Sequence, residues 1–354
     1  MIRSLIINPG STSTKIGVFE DETQVLDKTL RHEADEIGQF ATVFDQTEFR
    51  KQIILSALKE QGIELSSFQV IVGRGGVVKP IPGGTYEVKG QLLEDLKSGE
   101  YGVHASNLGG ILAREIADEI DVPAYIVDPV VVDELIPIAR YSGLPEFPRK
   151  SIFHALNQKA MGRRYAKENG TRYEDLNLIV VHMGGGCSVA AHEKGRVIDV
   201  FNALDGDGAF SPERSGALPV GQLIHYCFTS GKTEQEMRKM IVGKAGFNAY
   251  LNTIDARIVD EKMQEGDAYA KEVFDAFIFQ ICKNIGAEAA VLCGKVDQII
   301  LTGGIAYDKY VGEEITKRVS FIAPVTIYGG EDELLALAQG ALRVLNGEEA
   351  AKEY

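Results

Sequence analysis

The sequence predicts an α/β protein built from two related domains. Strands alternate with helices along the chain. Two strand–turn–strand units, at 5–19 and 178–191, carry glycine and hydroxyl side chains in their turns and stand about half a chain apart. The 354 residues suffice for a substantial core in each of two domains. The paired turns suggest domains that face one phosphate chain from opposite sides.

The first turn follows the strand end Leu5-Ile6-Ile7. Asn8-Pro9-Gly10-Ser11-Thr12-Ser13-Thr14-Lys15 holds short polar side chains, one cation and no acid. Such a loop offers backbone N–H groups, hydroxyls and an ammonium to an anion. Ile16, Val18 and Phe19 continue as a second strand. Further strands are expected near 70–73 and 124–128. A helix near 44–61 would bury Ile53, Ile54, Ala57 and Leu58, and one near 105–120 Leu108, Ile111, Leu112 and Ile116. Prolines thicken from Pro123 to Pro148, and Gly143–Pro148 is the expected crossover. This divides the chain into domains at 1–148 and 149–330.

The second half repeats the order, with strands near 178–182, 187–192 and 195–201. A long helix near 268–293 is apolar over much of its circumference and reads as a buried core helix. The strand Gln298–Leu301 ends at Thr302-Gly303-Gly304. The segment 331–354 is expected to pack a final helix back on the first domain, with a solvated tail from Gly347.

The net charge of −14 argues against a nucleic-acid partner, because a phosphate backbone is bound by a basic face. A small anion remains open to it, since a few local cations suffice. Cys187, Cys227, Cys282 and Cys293 show no CxxC spacing and read as buried reduced thiols. Asn8-Pro9-Gly10 interrupts any signal-peptide core, and no apolar run approaches membrane-spanning length. A cytoplasmic protein with no membrane or nucleic-acid partner is expected.

No GxxxxGK[ST] occurs and no GxGxxG opens a helix, so P-loop and Rossmann readings fail. The second turn is His182-Met183-Gly184-Gly185-Gly186-Cys187-Ser188. In Leu301-Thr302-Gly303-Gly304-Ile305, adjacent glycines remove side chains where a flat ligand can lie. Arg74, Arg149, Arg214 and Arg257 sit beside glycine, proline or aspartate, outside the amphipathic helices. A guanidinium there can grip a carboxylate or phosphoryl group through two parallel hydrogen bonds. Asp128 ends Ala124-Tyr125-Ile126-Val127, where α/β enzymes place catalytic or metal-binding acids. No HExxH pattern supports zinc at His154 or His182. Asp205-Gly206-Asp207-Gly208 lacks a full EF-hand loop.

The order of these motifs resembles the acetate kinase and butyrate kinase family of carboxylate kinases, within the superfamily of sugar kinases, actin and ATP-driven chaperones. Asn8–Lys15, Ser151-Ile152-Phe153-His154, His182–Ser188, Arg214-Ser215-Gly216, Asp255-Ala256-Arg257 and Leu301–Ile305 follow in family order. The resemblance implies two duplicated ribonuclease-H-like, actin-like ATPase domains around a central nucleotide cleft. It implies reversible, in-line transfer of a phosphoryl group from ATP to a short-chain carboxylate, giving an acyl phosphate and ADP with Mg2+.

By the same resemblance, Asn8, Ser11, Ser13 and Lys15 hold phosphate or organise magnesium. Arg74 and Arg214 hold the carboxylate and the phosphoryl in transit, and His154 stabilises that phosphoryl. Asp128 positions magnesium or its waters; Asn8 and Glu333 serve the metal, partly through water. His182 and Gly184, Gly185 and Gly186 line the nucleotide phosphates, and Asp255, Arg257, Gly303 and Gly304 surround the adenosine. A homodimer or higher homo-oligomer is expected. Acetate kinases have His-Leu-Gly-Asn-Gly at 182–186, a second histidine at 158 where this chain has Gln158, and extra residues between Pro212 and Arg214. These departures favour butyrate or a branched relative over acetate.

Overall fold

The computed structural model describes every residue except Asp205, so the acidic turn beginning there lies partly outside the described residues. The chain forms two compact units, 1–132 with 332–354, and 133–331. The first holds β1 (Arg3–Pro9), β2 (Ser13–Glu20), β3 (Thr23–Arg31), β4 (Val70–Arg74), β5 (Thr85–Glu87) and β6 (Ala124–Val127). Their sheet order is β3-β2-β1-β4-β6-β5. The second holds β7 (Asn177–Met183), β8 (Cys187–Glu193), β9 (Arg196–Val200), β10 (Gln298–Gly303) and β11 (Val325–Gly329), ordered β11-β10-β7-β8-β9.

The two sheets share one plan. In each, the first three strands form an antiparallel meander, the fourth pairs parallel with the first, and a further strand pairs parallel with the fourth. Only the first sheet adds an antiparallel edge strand, β5. The central strands β1 and β7 read as unbroken apolar runs because both faces are covered. Leu5, Ile6 and Ile7, like Leu178, Ile179, Val180 and Val181, are fully buried.

Helices supply the covering faces. In the first unit, helix Thr47–Glu60 buries Ile54, Ala57 and Leu58, and helix Asn107–Asp118 buries Leu108, Ile111, Leu112 and Ile116. The final helix, Glu333–Leu345, belongs to this unit and buries Leu334, Leu337, Ala338 and Ala341. In the second unit, helix Ala268–Val291 lays Val273, Phe274, Phe277, Ile278, Ile281 and Ile285 into the core. Its other side is open, with Tyr269 and Phe279 about half exposed. The helix is a core helix as expected, but its buried apolar stripe is a single wide one.

The units divide at Val132/Asp133, earlier than the proline-rich crossover placed at 148. Residues from 133 onward are tied into the second unit. Glu134 pairs with Lys159 at 2.9 Å, and Ile136 N–H donates to the Ile198 carbonyl at 3.0 Å. The cysteine expectation also needs correction. Cys187 is buried, but Cys227 and Cys293 are exposed, and all four are free thiols. Among the described residues, no helix is long and apolar enough to cross a membrane.

Candidate functional site

The first unit presents the Asn8–Lys15 turn between β1 and β2. Its shape depends on Arg50, a residue the motif reading missed. Arg50 projects from helix Thr47–Glu60 and is 1% exposed. Its guanidinium donates to the carbonyls of Gly10 (2.9 Å), Ser13 (3.0 Å) and Ser11 (3.1 Å), and to Thr14 Oγ1 (3.0 Å). Gln46 Oε1 accepts from the same group. With these carbonyls drawn inward, the turn keeps Ser11 exposed and Ser13 partly so. Burial pulls the Arg50 guanidinium down to about 10. His32, 2.9 Å from Thr14 Oγ1, is held below its ordinary value first by burial and then by Arg50.

Around the strand ends, Glu333 links two expected site residues. Asn8 Nδ2 donates to its carboxylate at 2.7 Å, and Arg74 forms an ion pair with it. Glu333 opens the final helix, where a carboxylate is favoured by the helix dipole. Asp128 follows β6, whose Val127 pairs with Arg74 of β4. It is buried, has φ of 38°, accepts from Gly84 N–H at 2.7 Å, and donates its own N–H to Gly84 at 3.0 Å. Lys15 pairs with Asp27 across β2 and β3 at 3.1 Å, both side chains roughly half exposed. His104 was not anticipated; burial and then the charge of Arg74 hold it below its ordinary value.

The second unit stacks two histidines. The rings of His154 and His182 lie 3.7 Å apart at an interplanar angle of 11°. His154 stands at the start of helix Ala155–Glu168, and His182 near the end of β7. His182 Nδ1 lies 2.8 Å from Asn157 Oδ1, and its Nε2 3.1 Å from a Glu331 oxygen. His154 Nδ1 lies 2.9 Å from Ser188 Oγ on β8.

Beyond β7 the chain makes the triple-glycine turn, against which Arg214 packs. A Cβ on Gly186 would fall 1.9 Å from Arg214 Nη1, so the guanidinium occupies the space that glycine leaves. Arg214 Nη1 donates to the Ala203 carbonyl at 2.6 Å, while its buried Nε has no partner among the described residues. Ser211 Oγ donates to the Gly185 carbonyl at 2.6 Å, joining the short Pro212–Arg214 loop to the same turn.

Gly184, Gly185, Asp255, Arg257 and Gly304 line one cleft of about 1190 Å³ in this unit, together with Tyr307. Gly303 lies outside that lining; it has φ of +89°, and a Cβ there would meet the Met183 carbonyl at 2.3 Å. Gly304 has nothing within 4 Å of a Cβ, which leaves its face open. Asp255 caps helix Ala256–Gln264 through Arg257 N–H at 2.9 Å. Its hydrogen bond with the Arg257 side chain holds its carboxyl below the usual range.

Arg149 differs from its sequence reading as an anion grip. It is paired with Asp199 (2.8 Å) and Asp207 (2.6 Å) and donates to the carbonyls of Ala139 and Val200. Two carboxylates neutralise it, so it braces the loop around β9.

Two mixed sheets of one topology, with glycine and hydroxyl turns between paired strands, define a duplicated α/β fold. The chain superposes on acetate kinase from Porphyromonas gingivalis with a TM-score of 0.81 at 18% identity, covering 98% of this chain and all of that one. A family model described as the acetokinase family matches residues 146–331. Butyrate kinase 1 of Clostridium acetobutylicum is 63% identical over 354 residues, 100% of both chains. A probable butyrate kinase of Clostridium botulinum is 59% identical over 350 residues, 99% of each. The chain belongs to the acetokinase family.

Proposed function

We propose that this protein transfers the γ-phosphoryl group of ATP reversibly to butyrate or a branched short-chain relative, in the cytoplasm. The observation that carries this reading is the 63% identity, over 100% of both chains, to a butyrate kinase. The alternative within the family is an acetate or propionate kinase.

The attacking group is a carboxylate, with a free pKa of about 4–5, and is ionised at neutral pH. No general base is needed, unlike attack by a sugar hydroxyl. The obstacle is repulsion between anions. In this reading Arg74 holds the substrate carboxylate, while Arg214 and His154 stabilise charge on the phosphoryl group. The turn at Asn8–Lys15 and the triple glycine offer N–H groups to phosphate oxygens. The glycine-walled cleft has room for a nucleoside, with Asp255 and Arg257 at its edge.

Among the described residues, no cluster of three or more His, Cys, Asp or Glu could hold a metal ion. The Asn8 amide and Glu333 carboxylate, 2.7 Å apart, are oxygen donors of the kind that fit Mg2+ carried on nucleotide phosphates, which needs only one or two protein groups and water. Asn8 and Glu333 are the residues for that contact, and in this reading Asp128 positions the ion's waters. The ion would neutralise phosphate charge when bound. We further propose self-association through helix Val220–Thr229, which buries none of its residues.

The test is acyl-hydroxamate formation from ATP, Mg2+, hydroxylamine and straight and branched C2–C6 acids. Butyrate or isobutyrate should exceed acetate in kcat/KM by roughly tenfold or more, since each fitted methylene contributes about 1–3 kcal/mol. Preference for acetate would transfer the protein to the acetate branch. No acyl phosphate from any acid, with folded protein that binds ATP, would remove the kinase reading.

A further inference from the structure

We propose that Tyr173, His192, Gln158 and Ser188 form a one-way hydrogen-bond relay that holds His154 as its Nε2–H tautomer. Ser188 and Gln158 are thereby positioning residues. The proposal rests on the reading of His154 as a donor to the transferring phosphoryl group.

The relay is continuous within the second unit. Tyr173 Oη lies 2.6 Å from His192 Nδ1, and His192 Nε2 lies 3.0 Å from Gln158 Oε1. Gln158 Nε2 donates to Ser188 Oγ at 2.8 Å and to the Ser188 carbonyl at 3.1 Å. Ser188 Oγ lies 2.9 Å from His154 Nδ1. Alternation along β8 puts Ser188 and His192 on one face, and a helical turn brings Gln158 beneath His154.

A backbone carbonyl fixes the direction. The Ser188 carbonyl only accepts, so the end of Gln158 facing it is the NH2 group. Gln158 Oε1 then faces His192 and requires a proton on His192 Nε2. A neutral His192 accepts at Nδ1, where the Tyr173 hydroxyl donates. On the other side, Ser188 Oγ receives a proton from Gln158. Among the described residues its own proton has one acceptor, His154 Nδ1. A neutral imidazole that accepts at Nδ1 carries its proton on Nε2.

Burial keeps water from reversing the chain: Gln158 and His192 are 0% exposed, Ser188 1% and Tyr173 3%. An amide cannot exchange its donor and acceptor ends with pH, as an imidazole can. The stack against His182 fixes the plane of the His154 ring, and the relay fixes which nitrogen bears hydrogen.

The test is the long-range 1H–15N spectrum of protein labelled in its six histidines, with His154 assigned through His154→Gln. Wild type should show His154 as the Nε2–H form. Ser188→Ala removes the donor and should give mixed tautomers. Gln158→Glu, ionised, takes the Ser188 proton and should turn His154 to Nδ1–H. Each should lower kcat roughly 10- to 100-fold, by analogy with lost outer-shell partners of metal-bound histidines. KM for ATP should stay within about twofold, because lost transition-state stabilisation appears in kcat. Either variant suffices if the other fails to fold. An Nδ1–H tautomer in wild type, or variants that keep both the Nε2–H form and full kcat, would overturn the relay. If the tautomers respond as stated but His154→Gln retains wild-type kcat, the relay stands and the phosphoryl role of His154 falls.

Discussion

Arg50 shows how much a single buried cation can organise. Its guanidinium bonds the carbonyls of Gly10, Ser11 and Ser13 from one buried position. A buried acceptor left without a donor costs about 1–3 kcal/mol. Lysine keeps the charge but not the planar fork. Arg50→Lys is therefore expected to lower urea-unfolding stability by roughly 1–3 kcal/mol and to raise KM for ATP. A stability loss with KM for ATP unchanged would show that the Asn8–Lys15 turn does not serve phosphate. The residues flagged from sequence were those whose chemistry acts through the backbone or at strand ends: the glycine turns, Asn8, Arg74 and His154. Arg50 and Gln158 were harder to see because each sits in a helix, where a charged or amide side chain ordinarily reads as a solvated face. The available signal for Arg50 was its spacing, four residues before Ile54 on the buried face. For Arg149, the neutralising acids Asp199 and Asp207 are brought to it only by the fold.

Among the elements, strands buried on both faces were the clearest in sequence. β1, β4, β7 and β10 are nearly unbroken apolar runs. β3 is an edge strand with Thr23, Gln24, Val25, Leu26 and Asp27 largely or partly exposed, so its alternation is diluted by charge. β5 has three residues and depends on β6 for its identity. Helix Ala268–Val291 carries a conflict that its periodicity hides. Glu288, one turn after Ile285, is 1% exposed, and neither carboxylate oxygen has a hydrogen-bond partner among the described residues. Burial, with Asp199 and Asp207 adding to it, raises its pKa well above the ordinary 4.5; Arg149 acts in the opposite sense. A carboxyl raised in the folded state keeps its proton there and releases it on unfolding. Its contribution is complete below the unfolded pKa and is lost as pH rises from about 4.5 toward the folded value. Glu288→Gln mimics the protonated side chain at every pH. Thermal melts between about pH 5 and 9 should show a flatter decline for the variant and a higher Tm at the alkaline end. Parallel curves would mean that Glu288 is ionised in the fold.

At the scale of the molecule, a repeated sheet plan accounts for the fold class being readable from two similar turns. The meander β1-β2-β3 and its counterpart β7-β8-β9 each place a polar turn after a buried strand. The unit boundary was less readable, because prolines mark where a chain turns and not which core its contacts join. The segment 133–148 belongs with the second core through Glu134 and Ile136. Surface composition carries a separate message. Helix Val220–Thr229 has the composition of a buried helix, yet Val220 is 67% exposed, Ile224 53%, Tyr226 41% and Phe228 87%. Neighbouring apolar side chains left in water mark an interaction surface. A second copy of the chain supplies the simplest matching surface, since a two-fold contact needs only one self-complementary patch. Light scattering behind size exclusion should return a mass near twice the monomer value of 38.6 kDa. The double change Ile224→Glu with Phe228→Asp should shift the protein to the monomer mass. The Tm of the separated chain should stay close to that of wild type at low concentration, because neither side chain contributes to the monomer core. A wild type that elutes as a monomer would assign this helix to some other contact. An oligomer untouched by the double change would place the subunit interface elsewhere on the chain.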